Sequence, residues 1–142
     1  MATYNIGLTG QTNSNVPWIG NNRVGVLSYV IDLSQRGYLC PAAGFASGDV
    51  LQLADLPIGA YYLGGALNVK TVEGSAGTVA LATTGTAITL LAATSINSVA
   101  ATVFTGSATL ITAASVLTAT LGGTLTYKAA VFSVNLIIAD CR

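Results

Sequence analysis

Residues 128 to 139 read KAAVFSVNLIIA, and this stretch decides the fold class. Its apolar side chains recur at every second position, which is the period of a β-strand and not the 3.6-residue period of a helix. Phe132, Val134 and Leu136 fall on one face, while Ser133 and Asn135 fall on the other. Because the polar positions are few, we expect this strand to lie centrally in a sheet.

The same period of two extends through most of the chain. Further strands are predicted from Val24 to Leu33, from Asp49 to Leu56 and from Tyr61 to Val72, and shorter ones follow. The turn from Glu73 to Gly77 predicts a hairpin that pairs the strand before it with the strand after it. Short strands separated by glycine-containing turns predict an all-β fold: a β-sandwich, a jelly roll or a small barrel.

Two strands carry further information. The stretch from Val24 to Leu33 is apolar at both odd and even positions, which predicts burial on both faces. In the strand that begins at Tyr61, simple alternation groups Tyr61 with Leu67 on one face and places Tyr62 on the other. One of the two rings is therefore expected at the surface. The Gly64-Gly65 pair inside this strand predicts a bulge or a bend.

Residues 1–23 differ from the rest of the chain. They are rich in Gly, Asn and Gln, and they contain the only tryptophan, Trp18. This composition indicates an extended N-terminal arm with an apolar anchor; the alternative is that Trp18 plugs the end of the domain's own core. Residues 24–142 then form a single β-sandwich domain of jelly-roll type. The candidate partner-contact residues are Pro17, Trp18, Ile19, Arg23 and Tyr62.

The chain is unusually poor in charge. Charged residues make up 7% of its 142 residues, whereas an average soluble domain has roughly a quarter. Five basic and five acidic residues cancel, and no basic patch is available to bind nucleic acid. A net charge near zero also removes the repulsion that keeps monomers apart. We therefore expect that part of the surface is covered by other copies of the chain or by a larger partner.

No segment of the sequence predicts a membrane-spanning helix or a targeting signal. A spanning helix needs about 20 apolar residues, and the apolar run from Lys128 to Ala139 is shorter and contains polar positions. The first five residues lack the basic region and apolar core of a signal peptide, which favours synthesis in a cytoplasm. In that compartment Cys40 and Cys141 are expected as free thiols, with a disulfide as the alternative.

The sequence offers no catalytic or metal-binding constellation. It contains no histidine, the commonest general base and metal ligand. Glycine-rich loops that cradle phosphates are absent, and Cys40 has no candidate base beside it. The carboxylates are expected at strand ends and turns, where they cap backbone groups. We predict no enzyme activity, no cofactor and no metal.

A series of short motifs gives the chain a family resemblance. A strand ending in Asp32-Leu33-Ser34 is followed by Gly48-Asp49-Val50-Leu51 and by the turn Pro57-Ile58-Gly59. Together with the strand Leu63 to Val69 and the apolar final strand, this pattern resembles the small capsid decoration, or cement, proteins of tailed bacteriophages. The stretch from Thr84 to Thr94 departs from the family pattern, which has a run rich in Gly and Asp there.

The resemblance implies a β-sandwich or jelly roll that forms homodimers or homotrimers. Such a protein would bind across junctions of the major capsid protein and stabilise the expanded head. It would be synthesised in the host cytoplasm and would lie on the capsid surface of the virion. The alternative from another class is a β-sandwich adhesin or carbohydrate-binding module on a virion or cell surface, for which tyrosine rings would supply stacking surfaces.

Overall fold

The structure, a computed structural model, describes residues 1–5, 23–34, 41, 43–74, 76–123 and 126–140. These residues contain nine strands and no helix. The strands are β1 Thr3–Asn5, β2 Arg23–Asp32, β3 Val50–Leu56, β4 Ala60–Thr71, β5 Thr78–Thr83, β6 Ile88–Ser95, β7 Ala101–Leu110, β8 Ser115–Gly122 and β9 Val131–Asp140. The prediction of an all-β fold is confirmed.

The strands form two sheets. Sheet A has five strands in the order β1-β3-β8-β5-β6, and sheet B has four strands in the order β2-β9-β4-β7. Strands β2 to β9 follow the connectivity of an eight-stranded jelly roll, and β1 adds to the edge of sheet A parallel to β3. The central position predicted for the last strand is confirmed, because β9 lies between β2 and β4.

The core lies between the two sheets and is mainly aliphatic. Alternate residues enter it over much of the strands, as the period of two predicts, for example in β5 and in the first half of β4. A leucine that is fully buried in this way contributes roughly 1.5–3 kcal/mol to stability. The largest fully buried side chains are Tyr127, Phe132, Leu33, Leu51, Leu53, Leu67, Leu81, Ile96, Ile111, Leu117, Leu121 and Leu136.

A bulge in β4 changes which side chains reach the core. The pairing of β4 with both of its neighbours shifts between Tyr62 and Gly64, so the bulge expected from the glycine pair is confirmed. Tyr62 before the bulge is 2% exposed, and Leu67 after it is 1% exposed. The prediction of Tyr62 as a surface residue in contact with a partner is therefore wrong. The bulge reverses the alternation, and Tyr61 takes the outward position.

The connection from β4 to β5 is not a hairpin. Strand β5 pairs with β6 and β8 in sheet A, whereas β4 pairs with β7 and β9 in sheet B, so the hairpin prediction is wrong. The connection crosses between the sheets, and the Glu73 carboxylate fixes it there. Its oxygens accept hydrogen bonds from the backbone N–H groups of Lys128, Ala129 and Ala130 at 2.7, 3.0 and 2.7 Å.

Candidate functional site: the outer face of sheet B

One face of β2 is exposed. The odd-numbered residues from Leu27 to Leu33 are buried in the core. On the opposite face Val24, Val26 and Val30 are 65%, 58% and 38% exposed. The prediction that this strand is buried on both faces is therefore wrong for the single chain, because β2 lies at a sheet edge and no described residue packs over its second face.

The cross-strand register continues this exposed surface across sheet B. Residues directly opposite each other in an antiparallel pair point to the same side. Val26 is opposite Ile137, and Tyr61 is opposite Leu110. Val103 of β7 is the most exposed of these residues, at 74%. We call this surface the aliphatic face; it consists of Val24, Val26, Val30, Tyr61, Leu63, Ala66, Val103, Leu110, Ile137 and Ala139.

The polar side chains within the aliphatic face are uncharged. The Ser28 hydroxyl donates a hydrogen bond to Asn135 Oδ1 at 2.6 Å. Among the described side chains, the charged groups Asp32 and Lys70 lie only at one end of the face. A partner can therefore cover its centre without burying an unpaired charge, which would cost several kcal/mol. Contiguous exposed apolar surface of this kind is typical of interaction sites.

The contact residues selected from the sequence do not form this face. Pro17, Trp18 and Ile19 lie outside the described residues, as does the side chain of Arg23, whose backbone begins β2. Tyr62 lies in the core, where its ring stacks on another aromatic ring, that of Phe104, with the centroids 6.5 Å apart. The contacts proposed for the arm stay predictions.

The residues of the aliphatic face were missed, although the sequence carries their signal. From Val24 to Leu33 apolar residues occupy both odd and even positions. This pattern predicts a strand that is buried, or nearly buried, on both sides. A strand with one face against its own core and the other against a partner has the same pattern. The sequence thus identifies the strand but not what covers its second face.

Two tyrosine hydroxyl groups lie in the core without a hydrogen-bond partner among the described residues, those of Tyr29 and Tyr62. Burial raises the pKa of Tyr29 and of Tyr62 above the usual value of 10.0. The negative charge of Asp55 raises the pKa of Tyr29 further. Both phenols are therefore neutral packing groups at physiological pH.

The described carboxylates with hydrogen bonds hold the backbone in place. Asp49 is 3% exposed; its Oδ1 accepts the N–H of Ala2 at 2.7 Å and its Oδ2 that of Ala46 at 2.9 Å. Glu73 binds the three N–H groups that lead into β9. Across the described ranges no three His, Cys, Asp or Glu side chains are grouped so that they could hold a metal ion.

Two further sequence predictions concern the membrane and the cysteines. In the part of the chain that the structure describes, no helix has the length and apolar character needed to cross a membrane. Cys40 and Cys141 lie outside the described residues, so their state as free thiols stays a prediction.

The jelly roll is similar to chains in three bacteriophage capsid structures. A chain of the capsid of Ralstonia phage GP4 matches with a TM-score of 0.58 and 16% identity, over 83% of this chain and 84% of that one. A chain of the cyanophage Pam1 capsid asymmetric unit matches with a TM-score of 0.55 and 18% identity, over 85% of this chain and 87% of that one. A chain of the acidic stable capsid structure of Helicobacter pylori bacteriophage KHP30 matches with a TM-score of 0.52 and 15% identity, over 84% of this chain and 95% of that one. No family model and no curated protein sequence matches.

At these identities the likeness shows a shared fold. The match extends over most of both chains in each case. The matching chains are therefore similar in length to this one, and the shared fold extends over more than four fifths of this chain. The fold of this chain is one that occurs in phage capsid structures.

Proposed function

We propose that this protein is a structural virion protein, and specifically a decoration or cement protein of a tailed bacteriophage capsid. The observation that carries the proposal is the match of more than four fifths of this chain to similarly sized chains in three phage capsid structures. The aliphatic face supports it with a physical mechanism of attachment. The function is binding, and it requires no catalytic group, cofactor or metal.

The proposed partner is the major capsid protein, and the proposed contact is the aliphatic face. Val24, Val26 and Val103 are each more than half exposed. Covering one such side chain contributes about 1 kcal/mol of binding free energy. The cost of covering the polar positions is small because Ser28 and Asn135 already bond each other. The partner surface that fits is therefore apolar and uncharged.

The proposed assembly is a homodimer or homotrimer that lies across junctions of the major capsid protein on the outside of the expanded head. Each copy contributes one weak contact, and the second contact of an oligomer becomes intramolecular once the first has formed. Bridging several capsid subunits in this way opposes their separation. The protein would be synthesised in the host cytoplasm and added to the capsid surface.

The arm supplies the second proposed contact. Trp18 and Arg23 belong to residue types that are enriched in binding hot spots, and Pro17 and Ile19 flank Trp18 in the sequence. Tyr61 replaces Tyr62 as the tyrosine of the proposed surface, because its side chain points outward. Trp18→Ala is expected to weaken head binding about tenfold or more without lowering the midpoint of thermal unfolding.

Co-sedimentation with expanded phage heads that lack the protein tests the proposal. We expect saturable binding of the purified chain and a higher temperature of head disruption. Val103→Lys, which places a charge on the aliphatic face, should weaken binding about tenfold or more. The matched control is Thr89→Lys, at an exposed position of β6 in sheet A, which should bind like the wild type. A wild type that does not sediment with heads would refute the decoration role.

A further inference from the structure

The edges of the two sheets differ in regularity. Strand β1 has three residues, and the pairing of β6 shifts twice. The pairing of β7 with β4 shifts between Thr105 and Thr109, and Ala108 in that interval has a φ of 21°. Strand β2 pairs with β9 over ten consecutive residues without a shift. Among the described strands, β2 is therefore the one long and regular edge.

Strand β2 also lacks the features that protect an exposed edge. Proteins usually prevent edge pairing with lysine, proline, a bulge or a very short strand. Between Val24 and Ile31 there is neither a charged residue nor a proline. No described strand pairs with the side of β2 that faces away from β9. An edge of this kind is a template for another extended strand.

The register shows which backbone groups point to the free side. The N–H of Leu33 donates to the carbonyl oxygen of Ala130 at 2.9 Å. In an antiparallel ladder such bonded pairs recur at every second residue, so the odd-numbered residues of β2 bond to β9. The even-numbered residues point both their N–H and their C=O to the free edge. These residues are Val24, Val26, Ser28, Val30 and Asp32.

We propose that β2 pairs antiparallel with β2 of a second copy, around a twofold axis at Ser28. This deepens the proposed function by naming the self-association surface, and its capsid setting rests on that function. With the axis at Ser28, the two Ser28 residues are opposite each other, and Val26 is opposite Val30 of the second copy. Val24 is opposite Asp32 of the second copy. All five residues whose backbone N–H and C=O groups point to the free edge of each strand are then paired with a residue of the second copy.

The hydrogen bonds of this register suffice for a specific interface. Five residue pairs that exchange two bonds each give ten backbone hydrogen bonds. A typical interface of standard size has about ten direct hydrogen bonds. The two copies of sheet B, with four strands each, would join into one sheet of eight strands. Because paired residues share a face, the two aliphatic faces would form one continuous surface.

A second copy fits this edge because the strand is complementary to itself. An axis at Ser28 places valine opposite valine on the outer face and brings no two like charges together. An axis between two residues would pair outward side chains with inward ones and would break both sheets' alternation. Pairing of one edge around a twofold axis also closes at two copies.

Charge substitutions at the axis test the dimer in solution. Light scattering of the wild type should give a mass twice the 14.3 kDa of the chain. Ser28 is exposed, and Ser28→Lys places two ammonium groups opposite each other. Its dissociation constant should rise about tenfold or more, and Ser28→Glu should behave alike. An equimolar mixture of the two variants should form a heterodimer. The control Thr105→Lys, exposed on β7, should dimerise like the wild type.

Each other outcome overturns the proposal. A monomeric wild type would mean that this edge does not pair with a second copy. A trimer would exclude twofold closure, and a mixture that stays monomeric would place the contact elsewhere. Head binding is measured separately: a monomer that decorates heads removes this inference and the proposed oligomer, but leaves the decoration role. A dimer that does not bind heads supports this inference and refutes the decoration role.

Discussion

The outer faces of the two sheets are both uncharged over most of their area, but they differ in how their polar groups are satisfied. On sheet A, the Thr118 hydroxyl donates to the carbonyl oxygen of Ala82 at 3.1 Å. At the edge of the same face, the N–H of Val116 donates to Thr84 Oγ1 at 3.1 Å. Sheet B presents the exposed valines of the aliphatic face instead.

The difference shows that low charge alone does not identify an interface. The hydroxyl groups of Thr84 and Thr118 bond to backbone groups of the same chain, so these polar groups are satisfied without a partner. The valines of sheet B gain free energy only when another surface removes them from water. A charge content of 7% applies to the chain as a whole, but only one of its two faces is suited to association.

The largest effect is expected from Gly65→Ala, which tests how closely the strands of sheet B approach. A Cβ at Gly65 would lie 2.1 Å from the carbonyl oxygen of Asn135 and 2.8 Å from the Phe104 ring. We expect a loss of about 3 kcal/mol in the free energy of unfolding, measured by urea denaturation. The control Ala66→Ser, on the outward side of the same strand, should stay within about 0.5 kcal/mol of the wild type. Equal denaturation midpoints for both variants would contradict this interpretation.

The next effect concerns the crossing between the sheets. Glu73→Gln replaces one of the two carboxylate oxygens with an NH₂ group, which cannot accept a hydrogen bond. The N–H of either Lys128 or Ala130 therefore loses its acceptor. We expect unfolding to become easier by about 2 kcal/mol. Asp55→Asn is the matched control, because Asp55 is an exposed carboxylate on β3; its effect should be below about 0.5 kcal/mol. If the two variants denature alike, Glu73 does not anchor the crossing.

A pair of tyrosine substitutions compares the interiors next to the two sheets. The Tyr127 hydroxyl accepts the N–H of Thr78 at 3.0 Å and is also bonded to the carbonyl oxygen of Gly122. Tyr127→Phe should cost about 1 kcal/mol because these groups lose a partner. Tyr62→Phe should leave stability unchanged or raise it slightly, since its buried hydroxyl has no described partner. A larger loss for Tyr62→Phe, by calorimetry, would reveal an unrecognised bond there.

The fold was predictable from the sequence where alternation is uninterrupted. The strand from Val131 to Asp140 has a simple period of two, and its central position followed from its few polar residues. In β4 the bulge was expected from Gly64-Gly65, but its effect on Tyr62 was not, because one extra residue reverses every later position. The β4–β5 crossing depends on Glu73 contacts with residues far away in sequence, which local turn patterns do not contain.

The site was predictable only in part. The low charge indicated that a surface of the chain is covered, and the apolar stretch from Val24 to Leu33 marked the strand concerned. Which side of that strand faces the core depends on the register with β9, in which Val26 is opposite Ile137. This pairing joins residues more than a hundred positions apart. Sequence periodicity gives the faces of each strand but not the neighbours that extend a face across a sheet.

A smaller effect is expected from alkaline pH. Burial raises the pKa of Tyr29, Tyr62 and Tyr127 in the folded chain above the usual 10.0. As the pH rises past 10, the unfolded chain loses these protons first and then binds fewer protons than the folded chain. The free energy of unfolding therefore falls with rising pH, and it is unaffected by these groups below pH 10. Thermal midpoints between about pH 8 and about pH 11 should show this fall, and Tyr29→Phe combined with Tyr62→Phe should reduce it. A midpoint that rises above pH 10 would contradict the assignment.

The smallest effect on stability, and the most direct test of the comparison, comes from exchanging the chemistry of the two faces. Val26→Thr combined with Val30→Thr gives β2 the surface of sheet A at nearly constant shape. Both valines are exposed, so the free energy of unfolding should change by less than about 0.5 kcal/mol. Dimerisation and head binding should each weaken about tenfold, because less apolar surface is buried in the contact. Thr89→Val combined with Thr120→Val is the reverse exchange on sheet A, and neither dimerisation nor head binding should increase. If both exchanges alter binding equally, general hydrophobicity and not the position of the aliphatic face governs association.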